Sequence, residues 1–206
     1  MERLGLKKVR FSINLAIMGM EDSCKELFQQ HIYRNALDYY QDNDIHEYLV
    51  IHQEIPFKIR LIVVENLDQL IRETSKLKNL DALIICINIY NTQSINQYTP
   101  QSLNQFTQQY NFQVLTVFVG VDSYYVEKGV PSEYFRISRL NLIKKTNELN
   151  FIYCFEIQNK SEDIEAILKQ ILNDILLRFQ ISSPESLVRA KSYGQELLKE
   201  KYNQNS

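Results

Sequence analysis

The sequence predicts an α/β domain of three layers, a mostly parallel sheet of about six strands flanked by helices. Short β-like runs alternate along the chain with longer stripes of helical period, the order that builds βαβ units. Two of the runs, ALIICINI over 82–89 and VLTVFV over 114–119, are apolar almost throughout, as strands covered on both faces are. The 206 residues, 45% hydrophobic and 23% charged, suit one sizeable domain that needs neither disulfide nor metal to fold.

The first strand is FSINLAIM over 11–18, ended by Gly19. Residues 21–40 read as one helix, with Leu27, His31, Ile32, Asn35 and Tyr39 on one face. Asn43-Asp44 breaks it. A short β-like run follows over 48–51 and a stronger one, FKIRLIVV, over 57–64. A weaker helix is expected over 68–77, before the strand at 82–89. Thr99-Pro100 places a hydroxyl cap before a proline at the first helical position, with Leu103, Phe106 and Tyr110 along one face. The strand at 114–119 ends at Gly120; a loop holding Gly129 and Pro131 precedes a helix that Ser132 can cap. FIYCFEI over 151–157 is the last strand. Ser161 is expected to cap the next helix, with Glu162 and Asp163 where the helix dipole favours negative charge. Its stripe runs through Ile164, Ile167, Leu168, Ile171, Leu172, Ile175, Leu176 and Phe179. Ser183-Pro184-Glu185 opens a final polar helix, which Gly194 weakens by about 1 kcal/mol. The expected division is a domain over 1–180 and a helical extension over 181–206 that folding does not require.

A net charge of −2 excludes a surface wholly devoted to nucleic acid. No apolar run is long enough to span a bilayer, and residues 1–10 lack the apolar core of a signal peptide. Cys24, Cys86 and Cys154 are odd in number and far apart, so reduced thiols of an intracellular protein are expected. His31, His46 and His52 match no zinc spacing, and neither GxSxG nor HExxH occurs. No catalytic residue, metal or cofactor is expected. Thirteen tyrosines and no tryptophan suit contact surfaces; Tyr124, Tyr125, Leu187, Leu197 and Leu198 are the candidate partner contacts.

Only five glycines occur, little material for loops that cradle phosphate. The turn after the first strand reads Gly19-Met20-Glu21-Asp22-Ser23-Cys24-Lys25-Glu26. Against GxxxxGK[ST] it keeps the first glycine and the lysine. Cys24 stands at the second glycine and Glu26 at the hydroxyl. Glu21 and Asp22 would face an anion, at a cost of roughly a few kcal/mol for each close charge. The expectation is a degenerate phosphate loop, with Lys25 a solvated helix residue.

The order of elements over 11–180 resembles the Ras-type small GTPases, which implies a small-GTPase-like, P-loop NTPase-type topology. The family's nucleotide motifs are degenerate throughout. Glu65-Asn66-Leu67-Asp68 lacks the glycine after the third strand, Val121-Asp122-Ser123-Tyr124 replaces Asn-Lys-x-Asp, and FIYCFEI has neither serine nor lysine. Within that architecture the chain is similar to the centromere protein M family, kinetochore subunits with a GTPase-like fold and no nucleotide site. The similarity lies in Asn14 to Asp22 with its Gly-x-Glu-Asp turn, in Leu80 to Ile89 continuing through Ser94-Ile95-Asn96-Gln97 to Ser102-Leu103, and in Phe151-Ile152-Tyr153-Cys154. It implies a catalytically inactive scaffold subunit, a pseudo-GTPase, of the constitutive centromere-associated network in the nucleus. That subunit would support inner-kinetochore assembly and chromosome segregation. The implied partners are the helical-repeat subunit centromere protein I and the paired coiled-coil centromere proteins H and K, without direct contact to nucleic acid or membrane. A pseudo-GTPase adaptor in trafficking or cilia, and a divergent active small GTPase, remain alternatives.

Overall fold

Strand β1 (Phe11–Met18) lies at the middle of the sheet, with Phe11, Ile13, Leu15 and Ile17 buried on one face and Ala16 and Met18 on the other. The computed structural model describes residues 11–42, 45–74, 79–110, 114–122, 136–158 and 160–204. In these, β1 leads through a single 3-10 turn (Glu21–Ser23) into α1 (Glu26–Asn35), then β2 (Asp38–Asp42), β3 (Ile45–His52), β4 (Ile55–Val64), α2 (Leu67–Thr74) and β5 (Ala82–Asn88). The chain continues through α3 (Thr92–Asn96), α4 (Pro100–Tyr110), β6 (Leu115–Asp122), α5 (Arg139–Glu148), β7 (Tyr153–Gln158), α6 (Ser161–Ser182) and α7 (Pro184–Gln204). The sheet has seven strands in the order β2-β3-β4-β1-β5-β6-β7. β3 runs antiparallel to both neighbours, and the other pairings are parallel.

Alternation along each strand divides the core into two layers. Ile13, Leu15 and Ile17 meet Phe28 and Ile32 of α1 and the stripe of α6. Ala16 and Met18 face the opposite layer, with Leu70 of α2, Ile95 of α3, Leu103 and Phe106 of α4 and Leu142 of α5.

Seven strands replace the expected six or so because β2 lies inside the stretch read as the end of a helix. Ala36 is extended and closes α1 at Asn35. Tyr39 pairs with Tyr48 across the β2–β3 ladder, the rings stacked at 5.0 Å. Its place on a helical stripe and its place on a strand look alike in the sequence; pairing with a distant strand decides between them. The short α3 was also unforeseen, and Asn91 caps it by accepting from the Gln93 N–H.

The caps agree in part. Thr99 and Ser102 bond reciprocally, side chain to backbone, at 2.9 and 3.0 Å. Ser132 lies outside the described residues; Ser138 is the cap of α5. Ser161 does not cap α6. Its hydroxyl meets His31 Nδ1 at 3.0 Å, and Asp163 instead reaches back to the Gln158 N–H.

The segment expected as an extension is helical over Pro184–Gln204 and packs on the sheet. Leu187 and Ala190 join the layer of α1 and α6, while Leu197 packs against Leu49 on the other face. Between them α7 crosses the rim of the sheet at the β3–β4 hairpin. There Gln53 and Glu54 both have positive φ, 49° and 64°, the conformation of a tight two-residue hairpin. A Cβ on Gly194 would overlap the Glu54 carbonyl oxygen. Gly194 is thus the point at which helix backbone passes hairpin backbone, and not merely a weakness in the helix. Lys191 and Gln195, on either side of it, hold the Glu54 carboxylate at 2.8 and 3.0 Å.

Two predictions follow from this packing. Ile171, 2% exposed in the α6 stripe, should cost about 2–5 kcal/mol when replaced by Ala, read from the urea midpoint. His31 accepts from Asn35 at Nε2 and bonds Ser161 through Nδ1, and burial holds its pKa below the ordinary value. The unfolded chain therefore takes up this proton first. The stability tied to neutral His31 is complete above the unfolded pKa of about 6.5 and is lost as pH falls below it. Melting curves from pH 7.5 to 5 should show this loss, and His31→Gln should flatten that part of the profile.

Candidate functional site

In an open α/β sheet, ligands bind beyond the carboxyl ends of the parallel strands, so the turn after β1 is the first place to look. Gly19 ends β1 with its N–H on the Val64 carbonyl at 3.1 Å. A Cβ there would overlap the Ser23 hydroxyl and lie 2.6 Å from the Cys86 carbonyl oxygen. The approach of β5 and of the chain's own turn accounts for this glycine, without a ligand. The turn then closes on itself. Ser23 directs both its N–H and its hydroxyl to the Met20 carbonyl, at 3.0 and 2.6 Å. Cys24 takes the left-handed conformation at φ 55°. The N–H groups of Leu27 and Phe28 donate to the Cys24 and Lys25 carbonyls at 3.1 and 3.2 Å. A phosphate loop would aim several of these donors at the anion.

Lys25 is not the solvated residue the sequence suggested: its side chain is 4% exposed. Its ammonium lies 3.0 Å from Glu26 Oε1 and 3.4 Å from the Met20 carbonyl. A buried ammonium needs a countercharge. Glu26, at the place where a phosphate loop has its hydroxyl, provides one. The two departures from the motif therefore work together.

Asp22 ties the turn to the end of β5. Its Oδ2 accepts from the side-chain amides of Asn88 and Asn91 at 3.2 and 2.9 Å. Asn88 also accepts from the Tyr90 N–H at 2.9 Å. Farther along the same edge, Arg136 pairs with Glu156 of β7, and the Tyr90 hydroxyl interacts with both Arg136 and Asp122. Burial, and then the Asp122 carboxylate, hold the Tyr90 hydroxyl protonated. This network occupies the end of β6. Asn66 and Gln69, in the stretch that replaces the acid–glycine motif, cap α2: the Gln69 N–H donates to Asn66 Oδ1 and the Glu65 N–H to Gln69 Oε1, both at 2.9 Å.

Neither thiol nearest the turn is activated. Cys86 is fully buried, and burial pushes its thiol up; Cys24 is raised by burial and then by Glu26 and Asp22. The histidines lie apart, His31 with Ser161, His46 with Gln29 and Tyr39, and His52 with Asn173. Among the described residues no group of His, Cys, Asp and Glu could hold a metal, and no helix is long and apolar enough to cross a membrane.

The candidate partner contacts fare differently. Tyr124 and Tyr125 lie outside the described residues. Leu187 and Leu197 are 8% and 7% exposed; they are packed inside this chain, which removes them as exposed contacts. Leu198 is half-buried. Leu177, Ile181 and Val188 are the exposed apolar residues around the α6–α7 turn. At the opposite edge of the sheet, a half-open cleft of about 370 Å³ is lined mainly by Leu103, Phe106, Val114, Leu149, Phe151 and Ile152. The sequence reading missed Asn88, Asn91, Tyr90 and Arg136. The signal for the first two was polar amides just beyond an otherwise apolar strand, in INIYN.

No protein-family model matches the chain, and no curated protein matches its sequence.

The Lys25–Glu26 pair yields an asymmetric prediction. Glu26→Gln leaves the buried ammonium without its countercharge and should destabilise by about 1–3 kcal/mol. Lys25→Met removes the ammonium and leaves Glu26 half-solvated, so it should cost less. Urea unfolding of both variants reads the order directly.

Proposed function

We propose that this chain is a catalytically inactive scaffold of small-GTPase type, which acts by presenting surfaces to protein partners. The observation that carries the reading is the closed turn at Gly19–Glu26. Within it the Ser23 N–H and hydroxyl both bond the Met20 carbonyl, and Lys25 is neutralised by Glu26. Asp22 adds a negative charge, bound to Asn88 and Asn91, where a nucleotide would carry its own. The strand order supports the small-GTPase comparison: parallel β4-β1-β5-β6-β7 with antiparallel β3 beside β4. β2 is an addition at the edge of that arrangement.

The resemblance of Asn14 to Asp22, of Leu80 to Ile89 and of Phe151 to Cys154 carries the reading one step further. The scaffold belongs to the inner kinetochore in the nucleus, with centromere protein I and centromere proteins H and K as partners. A rigid sheet with helices on both faces suits that work, since outer helices can meet partners while the core stays fixed.

Titration with fluorescent GTP and ATP in the presence of Mg²⁺ tests the first part. No binding is expected at micromolar nucleotide; micromolar or tighter binding, or nucleotide carried through purification, overturns it. Affinity purification of the tagged chain from its native cells tests the second. Centromere proteins I, H and K should be enriched; a different set of partners overturns the kinetochore assignment and leaves the scaffold reading standing.

A further inference from the structure

The half-open cleft at the edge of the sheet opposite the Gly19 turn is built from the core itself. Its floor is Leu103 and Phe106 of α4, Val114 just before β6, and Leu149 and Phe151 on either side of Asn150. All five belong to the buried layer of α2, α3, α4 and α5, so core packing holds the floor in shape. The Phe151 ring meets Phe118 of β6 edge-on, with centroids 6.0 Å apart. The wall beside the floor is set by the way α5 ends. Asn150 is left-handed at φ 55°. The N–H groups of Asn150 and Phe151 donate to the Asn147 and Thr146 carbonyls at 3.1 and 2.9 Å, the two bonds of a Schellman turn. Ile152, which follows, is an exposed apolar residue of the lining.

The charge of the cleft has one sign. Among the described residues that line it, Glu148 alone is ionised. Its Oε2 lies 3.0 Å from Lys145 Nζ, but its side chain is 46% exposed and that of Lys145 13%. The carboxylate lines the cleft and the ammonium does not. The carboxyl end of α5, at the same wall, adds the partial negative charge of a helix terminus. Where α4 begins, Pro100 has no N–H, and the N–H groups of Ser102 and Leu103 are spent on Thr99. An anion would meet no cation among the lining residues.

We propose that this cleft binds a small aromatic amine, its ring on the apolar floor and its ammonium beside Glu148 and the end of α5. The volume of about 370 Å³ falls within the roughly 300–1,000 Å³ of small-molecule sites. The phenyl rings of Phe106 and Phe151 suit a flat aromatic body. Burial of the ring supplies attraction, and charge supplies selectivity. At about 4 Å from a carboxylate, even in water, an ammonium gains about fivefold in affinity and an anion loses as much. The site lies away from the closed turn and stands or falls independently of the scaffold reading.

Two indoles of opposite charge, tryptamine and indole-3-propionate, test the site by titration of the ¹⁵N-labelled full chain, read from its amide spectrum at pH 7. Tryptamine should shift the signals of residues 103–106 and 148–152 along a saturable curve, in the millimolar range expected of so small a molecule, or tighter. Indole-3-propionate should bind about tenfold more weakly or worse. Glu148→Gln should weaken tryptamine about fivefold and leave indole-3-propionate no weaker. Ile152→Lys, a change at an exposed position, places a cation beside the floor and should abolish the preference for the amine. Shifts that do not saturate, shifts centred on other residues, or equal affinity for the two indoles overturns the proposal. So does a preference for the amine that survives both substitutions unchanged.

Discussion

β1 pairs with β4 along its whole length and with β5 over its last four residues. Over its second half, Leu15 to Met18, apolar side chains on both faces are buried between two layers of helix. That burial sets the rest. α1, α6 and the first half of α7 cover one face, and α2, α3, α4 and α5 cover the other. At the end of β1, the approach of the Cys86 carbonyl leaves room for a residue without a side chain, and Gly19 occupies the place. The same strand thus determines both the layering and the geometry of the turn where a ligand would sit.

The carboxyl edge is polar but internally committed. Asp22 holds Asn88 and Asn91, Glu26 holds Lys25, and Glu156 holds Arg136. These three pairings lie among the described residues of that edge. Such networks lock loops that move in proteins that exchange ligands.

The layering was legible in the sequence because it follows from local pattern: buried runs at 82–89 and 114–119, and the long stripe of α6. The departure of the turn from GxxxxGK[ST] was legible too, since Cys24 and Glu26 stand where that pattern has a glycine and a hydroxyl. What was not legible depends on contacts between distant residues. Tyr39 fits a helical stripe until β3 is beside it. Lys25 reads as a surface lysine until its burial against Glu26 is seen. Gly194 reads as a helix defect until the β3–β4 hairpin lies across it. Ser161 has the position of a cap, yet His31, far away in the chain, claims its hydroxyl. In each case the local preference was real and a tertiary partner overrode it.

The central place of β1 also bears on how the chain is made. It leaves the ribosome well before its neighbours: β4 follows only after α1, β2 and β3, and β5 later still. The meander β2–β3–β4 can close by short hairpins, whereas the parallel ladders of β1 wait for sequence that does not yet exist. For that interval β1, largely apolar, has an open edge on either side. A chain in this condition is prone to pair with its neighbours on the same polysome, so the strand that organises the finished molecule is also the one a chaperone must shield during translation.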